Sequence, residues 1–148
     1  MILFAIAQSD TDIQNAFRLR HKVFVVEQHV PEEMELDEFD AQAIHVVAKD
    51  DDQVVGTGRL LVENNKGHIG RLAVNKIYRR QHIGSGIMSK FEEIAKERNL
   101  TELYFHAQTH AQKFYELLGY TPRGEKFDEA GIEHVEMYKI LSPQSSTV

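Results

Sequence analysis

The order of apolar runs and polar breaks predicts an α/β (α+β) protein of one domain, with a mixed, mostly antiparallel, twisted sheet flanked by helices. Three observations carry this. The runs read strand–helix, then three strands, then helix–strand–helix, then two strands, without an internal repeat. The chain has 148 residues, 42% of them hydrophobic, which suits one compact core. A strand reached through a helical crossover has to run parallel to an earlier one, so the sheet is mixed.

Ile2 to Ala7 is rich in β-formers and stops at Ser9-Asp10-Thr11-Asp12, where N-capping residues open a helix. Ser9 with Asp12 fits a capping box. Ile13, Ala16, Phe17, Val23 and Phe24 recur at near-helical spacing, interrupted by Arg20, and predict an end near Val26. Pro31 and its acidic neighbours predict an irregular loop. Ile44 to Ala48 reads as a strand closed by Asp50-Asp51-Asp52. Val54 to Val62 and His68 to Val74 follow as strands about the turn signal Asn64-Asn65-Lys66-Gly67. Ile83, Ile87, Met88, Phe91, Ile94 and Ala95 form a clean helical stripe ending near Asn99. Leu103-Tyr104-Phe105 is the short parallel strand. Thr109 and Gln112 fit a second capping box before a helix from Ala111 to Leu118, which Gly119 stops as a left-handed C′ residue. Tyr120 to Leu141 reads as two strands around Asp128-Glu129-Ala130-Gly131, which gives a domain of residues 1–141 and a polar C-terminal tail of residues 142–148.

Composition excludes several classes. With no cysteine there is no disulfide framework, Cys-ligated zinc, iron–sulfur cluster or cysteine nucleophile, and a cytoplasmic setting fits. The longest apolar run, Met1 to Ala7, is far below the roughly 20 residues that span a bilayer, so no membrane partner is expected. No Lys or Arg precedes Arg18, against a secretory signal. A net charge of −6 has the wrong sign for nucleic acid. The charge is segregated: Glu27 to Asp40 holds seven carboxylates and no Lys or Arg, and between Glu63 and Glu92 the charged residues are all basic. The acidic run suits either a solvated loop or the attraction of a cationic amine. His106 and His110 straddle a strand end and a loop rather than one helical face, so no metal is expected.

The stretch with chemical content is Leu72-Ala73-Val74, then residues 75–78, then Arg79-Arg80-Gln81-His82-Ile83-Gly84-Ser85-Gly86, running into the clear helix. A strand, a loop and a helix N-terminus make an anion site, because free N–H groups and the helix dipole converge there. The Walker pattern GxxxxGK[ST] and GxGxxG are both absent, so the expected ligand is a phosphate or pyrophosphate outside those two loops.

This stretch resembles the acetyl-CoA-binding motif of the GNAT N-acetyltransferase superfamily, in which a Leu-Ala-Val strand end precedes Arg/Gln-x-x-Gly-x-Gly/Ala. Gln81-x-x-Gly84-x-Gly86 matches the letters, and Arg79-x-x-His82-x-Gly84 matches the distance from the strand, with His82 in the place of the first glycine. Phe114-Tyr115-Glu116-Leu117-Leu118-Gly119-Tyr120 is similar to the family's Phe-Tyr-x-x-x-Gly-Phe/Tyr segment. Arg20 to Gln28, then Glu35-Leu36-Asp37 and Asp40, and Ala107-Gln108-Thr109 resemble the ElaA/YjcF-like branch.

The resemblance implies transfer of an acetyl group from acetyl-CoA, as co-substrate, to a primary amine by direct attack in a ternary complex. It implies that residues 72–74, 79–86 and Gln108 hold the co-substrate, and that Tyr115 protonates the departing thiolate. Backbone N–H groups near Val74 would hold the thioester carbonyl. Glu27 heads the candidates for general base, with His106, His45 or a water chain as alternatives. The acceptor is a small-molecule amine or a protein amine, and a homodimer is compatible with a domain of this size. On the residues alone Tyr115 also reads as a core tyrosine, and Arg79 and Arg80 as solvated cations. A non-catalytic acyl-CoA-binding module is the alternative function, and a docking domain using the acidic loop is another.

Overall fold

The computed structural model describes residues 1–141, so the expected tail of residues 142–148 lies outside the described residues. The strands are β1 (Ile2–Ile6), β2 (Ile44–Asp50), β3 (Gln53–Glu63), β4 (Lys66–Val74), β5 (Glu102–Gln108), β6 (Thr121–Glu129) and β7 (Ile132–Ile140). The α-helices are α1 (Asp10–Arg20), α2 (Glu32–Glu35), α3 (Ile83–Glu97) and α4 (Gln112–Leu117). The described chain groups into two compact units, Met1–Leu61 with Gly70–Phe91, and Val62–Ile69 with the residues from Glu92 onward.

In the first unit the strand order is β1-β2-β3-β4, with β1 and β2 antiparallel and β2 and β3 antiparallel. Ala16, Leu19 and Val23 pack with Val47, Val54 and Ala73, and this puts the apolar stripe of α1 in the core. The beginning of α3 packs closely too: a Cβ on Gly58 would sit 2.9 Å from the Phe91 ring, and one on Gly56 2.7 Å from Ile83. Ser9 caps α1, accepting from Asp12 N–H at 3.1 Å, but the reciprocal half of the expected capping box does not form, because the Asp12 carboxylate pairs with Lys49 at 3.1 Å. The helix does not stop near Val26 as one α-helix. It relaxes into a π-helical segment, His21–Glu27.

The acidic run is not an irregular loop. It holds α2 and a 3₁₀ turn, Glu38–Ala41, capped reciprocally by Asp37 and Asp40. Three of its seven carboxylates, Glu35, Asp37 and Asp40, are spent on arginines of the fold. Arg20, 1% exposed, donates from Nε to Glu35 at 2.7 Å and from Nη1 to Asp40 at 2.7 Å. Arg59 donates to Asp37 at 2.7 Å and to Asp40 at 2.9 Å. Arg71 donates to the Glu35 and Met34 carbonyls at 3.0 and 3.1 Å and to Asp37 at 3.3 Å. Arg20, the residue that broke the apolar stripe, is thus buried to hold this segment.

In the second unit the order is β4-β5-β7-β6. β4 runs parallel to β5 over Lys66–His68 and Glu102–Tyr104, as the crossover requires, and β5 pairs antiparallel with β7 from Glu102 to Gln108. Two-residue turns with positive φ, Asn64-Asn65 and Ala130-Gly131, join β3 to β4 and β6 to β7, tighter than the four-residue signals suggested.

The ion network makes stability depend on acid. Burial alone would raise the pKa of Asp40, but hydrogen bonds from Arg20, the Asp37 N–H and Arg59 outweigh it and hold the carboxyl well below the usual range. The Arg59 hydrogen bond does the same for Asp37. These groups bind protons more weakly folded than unfolded, so their contribution is full above about pH 4 and is lost as pH falls through the lowered values. Denaturant midpoints measured from pH 6 to 2 are expected to fall below about pH 4. Asp40→Asn, which leaves buried guanidinium charge uncompensated, is expected to cost about 3–5 kcal/mol at pH 7.

Candidate functional site

In the first unit β4 delivers Leu72, Ala73 and Val74 to the loop, with Ala73 buried and its neighbours half-buried. Asn75 fixes the exit. Its N–H donates to the Val55 carbonyl at 2.8 Å, and its Oδ1 accepts from Ile77 N–H at 3.2 Å, capping the 3₁₀ turn Lys76–Tyr78. Tyr78 O–H donates to Asp50 at 2.7 Å, which ties the turn to β2 and raises the phenol's pKa.

Two residues before α3 are left-handed, Arg80 at φ 67° and His82 at φ 63°. That conformation costs an L-residue about 1–2 kcal/mol, and histidine is among the side chains that tolerate it. His82 therefore keeps the backbone shape expected of a glycine. Its carbonyl accepts from Ser85 Oγ and Gly86 N–H, both at 3.0 Å, closing the first turn of α3. The first-turn N–H groups around Ile83, Gly84 and Ser85 have no intrahelical acceptor, so the turn is chemically suited to an anion. Gly86 has a packing reason to be glycine, because a Cβ there would run into the Phe4 ring of β1. Arg80 and Gln81 are exposed, and Gln81 Nε2 donates to the Ile77 carbonyl at 3.3 Å.

Glu27 and Arg79 are brought together. Arg79 Nη2 donates to both carboxylate oxygens of Glu27, at 3.1 and 2.9 Å, and its Nε donates to the Val74 carbonyl at 3.1 Å. Neither residue is the isolated group that the sequence suggested. Of the other base candidates, His45 Nε2–H is taken by the Asp40 carbonyl at 2.9 Å. His106 lies between carboxylates, Nδ1 at 3.1 Å from Glu129 and Nε2 at 3.5 Å from Glu136.

In the second unit Gln108 ends β5 opposite His134, its Oε1 2.6 Å from His110 Nε2. The capping box expected at Thr109 and Gln112 does not form. Thr109 donates instead to Glu133 at 3.0 Å, and Gln112 to Glu116 at 3.3 Å. Gly119 does take the left-handed C′ position, at φ 96°. In α4 Leu117 is 83% exposed and Phe114 40%, while the Tyr115 ring lies 4.6 Å from Phe105 of β5. Desolvation there pushes the Tyr115 pKa up to about 12, so the phenol keeps its proton throughout the neutral range. Its hydroxyl has no hydrogen-bond partner among the described residues. No group of three or more His, Cys, Asp or Glu side chains among the described residues is arranged to hold a metal ion, and none of their helices is long and apolar enough to cross a membrane.

The profile of the acetyltransferase (GNAT) domain matches residues 6–141. The uncharacterized N-acetyltransferase YjcF of Bacillus subtilis is 37% identical over 135 residues, 90% of this chain and 96% of that protein. Among solved structures, Escherichia coli ElaA superposes with a TM-score of 0.84 at 29% identity, covering 94% of this chain and 99% of that one. An acyl-CoA N-acyltransferase from Pseudomonas aeruginosa gives 0.83 at 28%, covering 94% and 98%.

The strain at residue 82 is separable from its chemistry. His82→Gly is expected to raise stability by about 0.5–1 kcal/mol, because relief of the left-handed penalty exceeds the entropy glycine adds to the unfolded chain. Denaturant unfolding of the two proteins measures it, and a loss of stability would show that the imidazole itself holds the loop.

Proposed function

The chain belongs to the acetyltransferase (GNAT) family and is an acyltransferase; on that premise we propose that it moves an acetyl group from acetyl-CoA to a primary amine by direct attack in a ternary complex. The observation that carries this reading is the junction from β4 to α3, where a strand end, two left-handed residues and a free helix N-terminus succeed one another. Such a junction suits the pyrophosphate of a coenzyme A thioester. In this reading residues 1–141 are the catalytic domain, residues 72–74 and 79–86 and Gln108 receive the co-substrate, and the acceptor is a small-molecule or protein amine in the cytoplasm.

The proposed chemistry needs no covalent enzyme intermediate. The ammonium of the acceptor loses a proton, its nitrogen attacks the thioester carbonyl carbon, and the C–S bond breaks as the tetrahedral adduct collapses. Tyr115 supplies a hydrogen bond to the sulfur as charge develops there. A phenol at about 12 is protonated to do so; it passes its proton to the departing thiolate and regains one from the nitrogen of the adduct, while the proton first shed by the ammonium leaves to solvent by way of the base, so that amide, thiol and one released proton result. Glu27 is the proposed proton acceptor, held in one orientation by Arg79. His82, in the place of the motif's first glycine, takes the left-handed φ that a glycine there would take, which supports the acetyl-transfer reading over a non-catalytic module.

Thiol release from acetyl-CoA over an amine panel tests the reading, and the chain adds no cysteine background. Amine-dependent release is expected, reduced about 10²-fold or more in Tyr115→Phe with acetyl-CoA affinity nearly unchanged. Glu27→Gln separates two roles: loss of a base lowers kcat, whereas mere release of Arg79 raises KM for acetyl-CoA at unchanged kcat.

A further inference from the structure

One face of α1 and its π-helical continuation has no part in the acetyl-transfer chemistry, and it borders an open pocket of about 420 Å³. Asn15, Arg18, Leu19 and Lys22, at helical spacing, form one wall. Gln53 and Val54 of β3 and Asn75 beyond β4 form the other. Leu19 and Val54 are buried and give the pocket an apolar floor. Arg18 and Lys22 are exposed cations, and no carboxylate lines the space between the walls. Arg18 makes one hydrogen bond, from Nη1 to Asn15 Oδ1 at 3.2 Å, and neither cation has a carboxylate partner among the described residues. Asp12 is engaged by Lys49 at 3.1 Å and Asp50 by Tyr78 at 2.7 Å. Arg20, Arg59 and Arg71 differ in this respect, because the acidic segment meets their charges.

Asn75 separates this pocket from a patch of solvated cations. It is 9% exposed, and the hydrogen bond from Ile77 N–H identifies its Oδ1, so Nδ2 is the atom left over. That amide has no acceptor among the described residues and is not sealed inside the protein. A donor held at the pocket wall near two unmatched cations favours an acceptor that carries negative charge. We propose that the pocket binds a phosphate monoester carried on a small apolar or aromatic group. A carboxylate would answer one of the two cations. A phosphate monoester brings up to about two negative charges and three acceptor oxygens at neutral pH, enough for the Arg18 fork, the Lys22 ammonium and the amides of Asn75 and Gln53. Leu19 and Val54 receive the organic group. The pocket shares no residue with the β4 to α3 junction and does not rest on the acetyl-transfer reading. Two sources offer this chemistry, a free phosphorylated metabolite and the 3′-phosphate of coenzyme A.

The experiment follows the Asn75 side-chain amide of ¹⁵N-labelled protein during titration with phenyl phosphate, benzoate and phenol, which share a ring and differ in charge. Phenyl phosphate is expected to shift it saturably, about tenfold or more tighter than benzoate, with phenol weakest and affinity falling as salt rises. Arg18→Gln and Lys22→Gln alter exposed side chains, so the fold stands, and each is expected to weaken phenyl phosphate about tenfold. No saturable shift, equal binding of benzoate or phenol, or unchanged affinity in both variants overturns the proposal. Coenzyme A and 3′-dephospho-coenzyme A then separate the sources. A preference for coenzyme A that Lys22→Gln removes assigns the phosphate to the co-substrate. A comparison that Lys22→Gln leaves unchanged, while it weakens phenyl phosphate, assigns it to a separate metabolite; either result upholds the pocket. Phenyl phosphate binding without any thiol release from acetyl-CoA upholds the pocket and overturns acetyl transfer.

Discussion

Arg20 is the constraint on which much of the first unit depends. A guanidinium 1% exposed has lost its water, and a charge in that position is tolerable only if carboxylates come to it. Glu35 and Asp40 do so, and that requirement seats the whole segment of residues 32–41 beside β2, β3 and β4. Once Asp40 is in place it caps the turn with Asp37, Asp37 gathers Arg59 and Arg71, and the Asp40 carbonyl takes His45. Helix, loop and strand thus share one polar network inside an otherwise apolar layer. Such a network specifies one arrangement, because every alternative strands a charge.

Periodicity and turn chemistry made most of the fold legible. The stripe from Ile83 to Ala95, the strand runs, and the left-handed Gly119 are local patterns whose physics is complete within a dozen residues. The parallel sense of β5 was legible from chain geometry alone. What escaped is long-range or shallow in energy. The partners of Arg20 lie 15 and 20 residues away, and a sequence records only that a charge interrupts an apolar stripe. The π-helical widening after Arg20 has no residue signature of its own. The face of the short α4 that packs is set by contact with Phe105, and six residues are too few for a stripe to show it. At the site, Tyr115 and the residues of the loop were visible as a motif, but the closure of Glu27 on Arg79 spans 52 residues and was not.

The loop before α3 divides its work among residues that look alike in sequence. His82 supplies backbone shape despite its side chain, Gly86 supplies clearance for Phe4, and Arg79 is turned back to hold a strand end and a carboxylate. A glycine pattern that reads as one device here answers two demands, the backbone shape of the turn before α3 and the seating of β1 against the helix. The alternative registers of the motif therefore do not compete, because each glycine answers a different demand.

β6 closes one side of the second unit's strand order, with β7 as its one neighbour. Its outer edge is unsuited to strand addition: Pro122 lacks a donor, Gly124 turns left-handed at φ 80°, and the pairing with β7 shifts register between Arg123 and Phe127, where exposed Glu125 and Lys126 stand. An incoming extended chain finds neither a regular row of hydrogen-bond groups nor a neutral surface there. Copies of the protein at high concentration are thereby discouraged from polymerising edge to edge along β6.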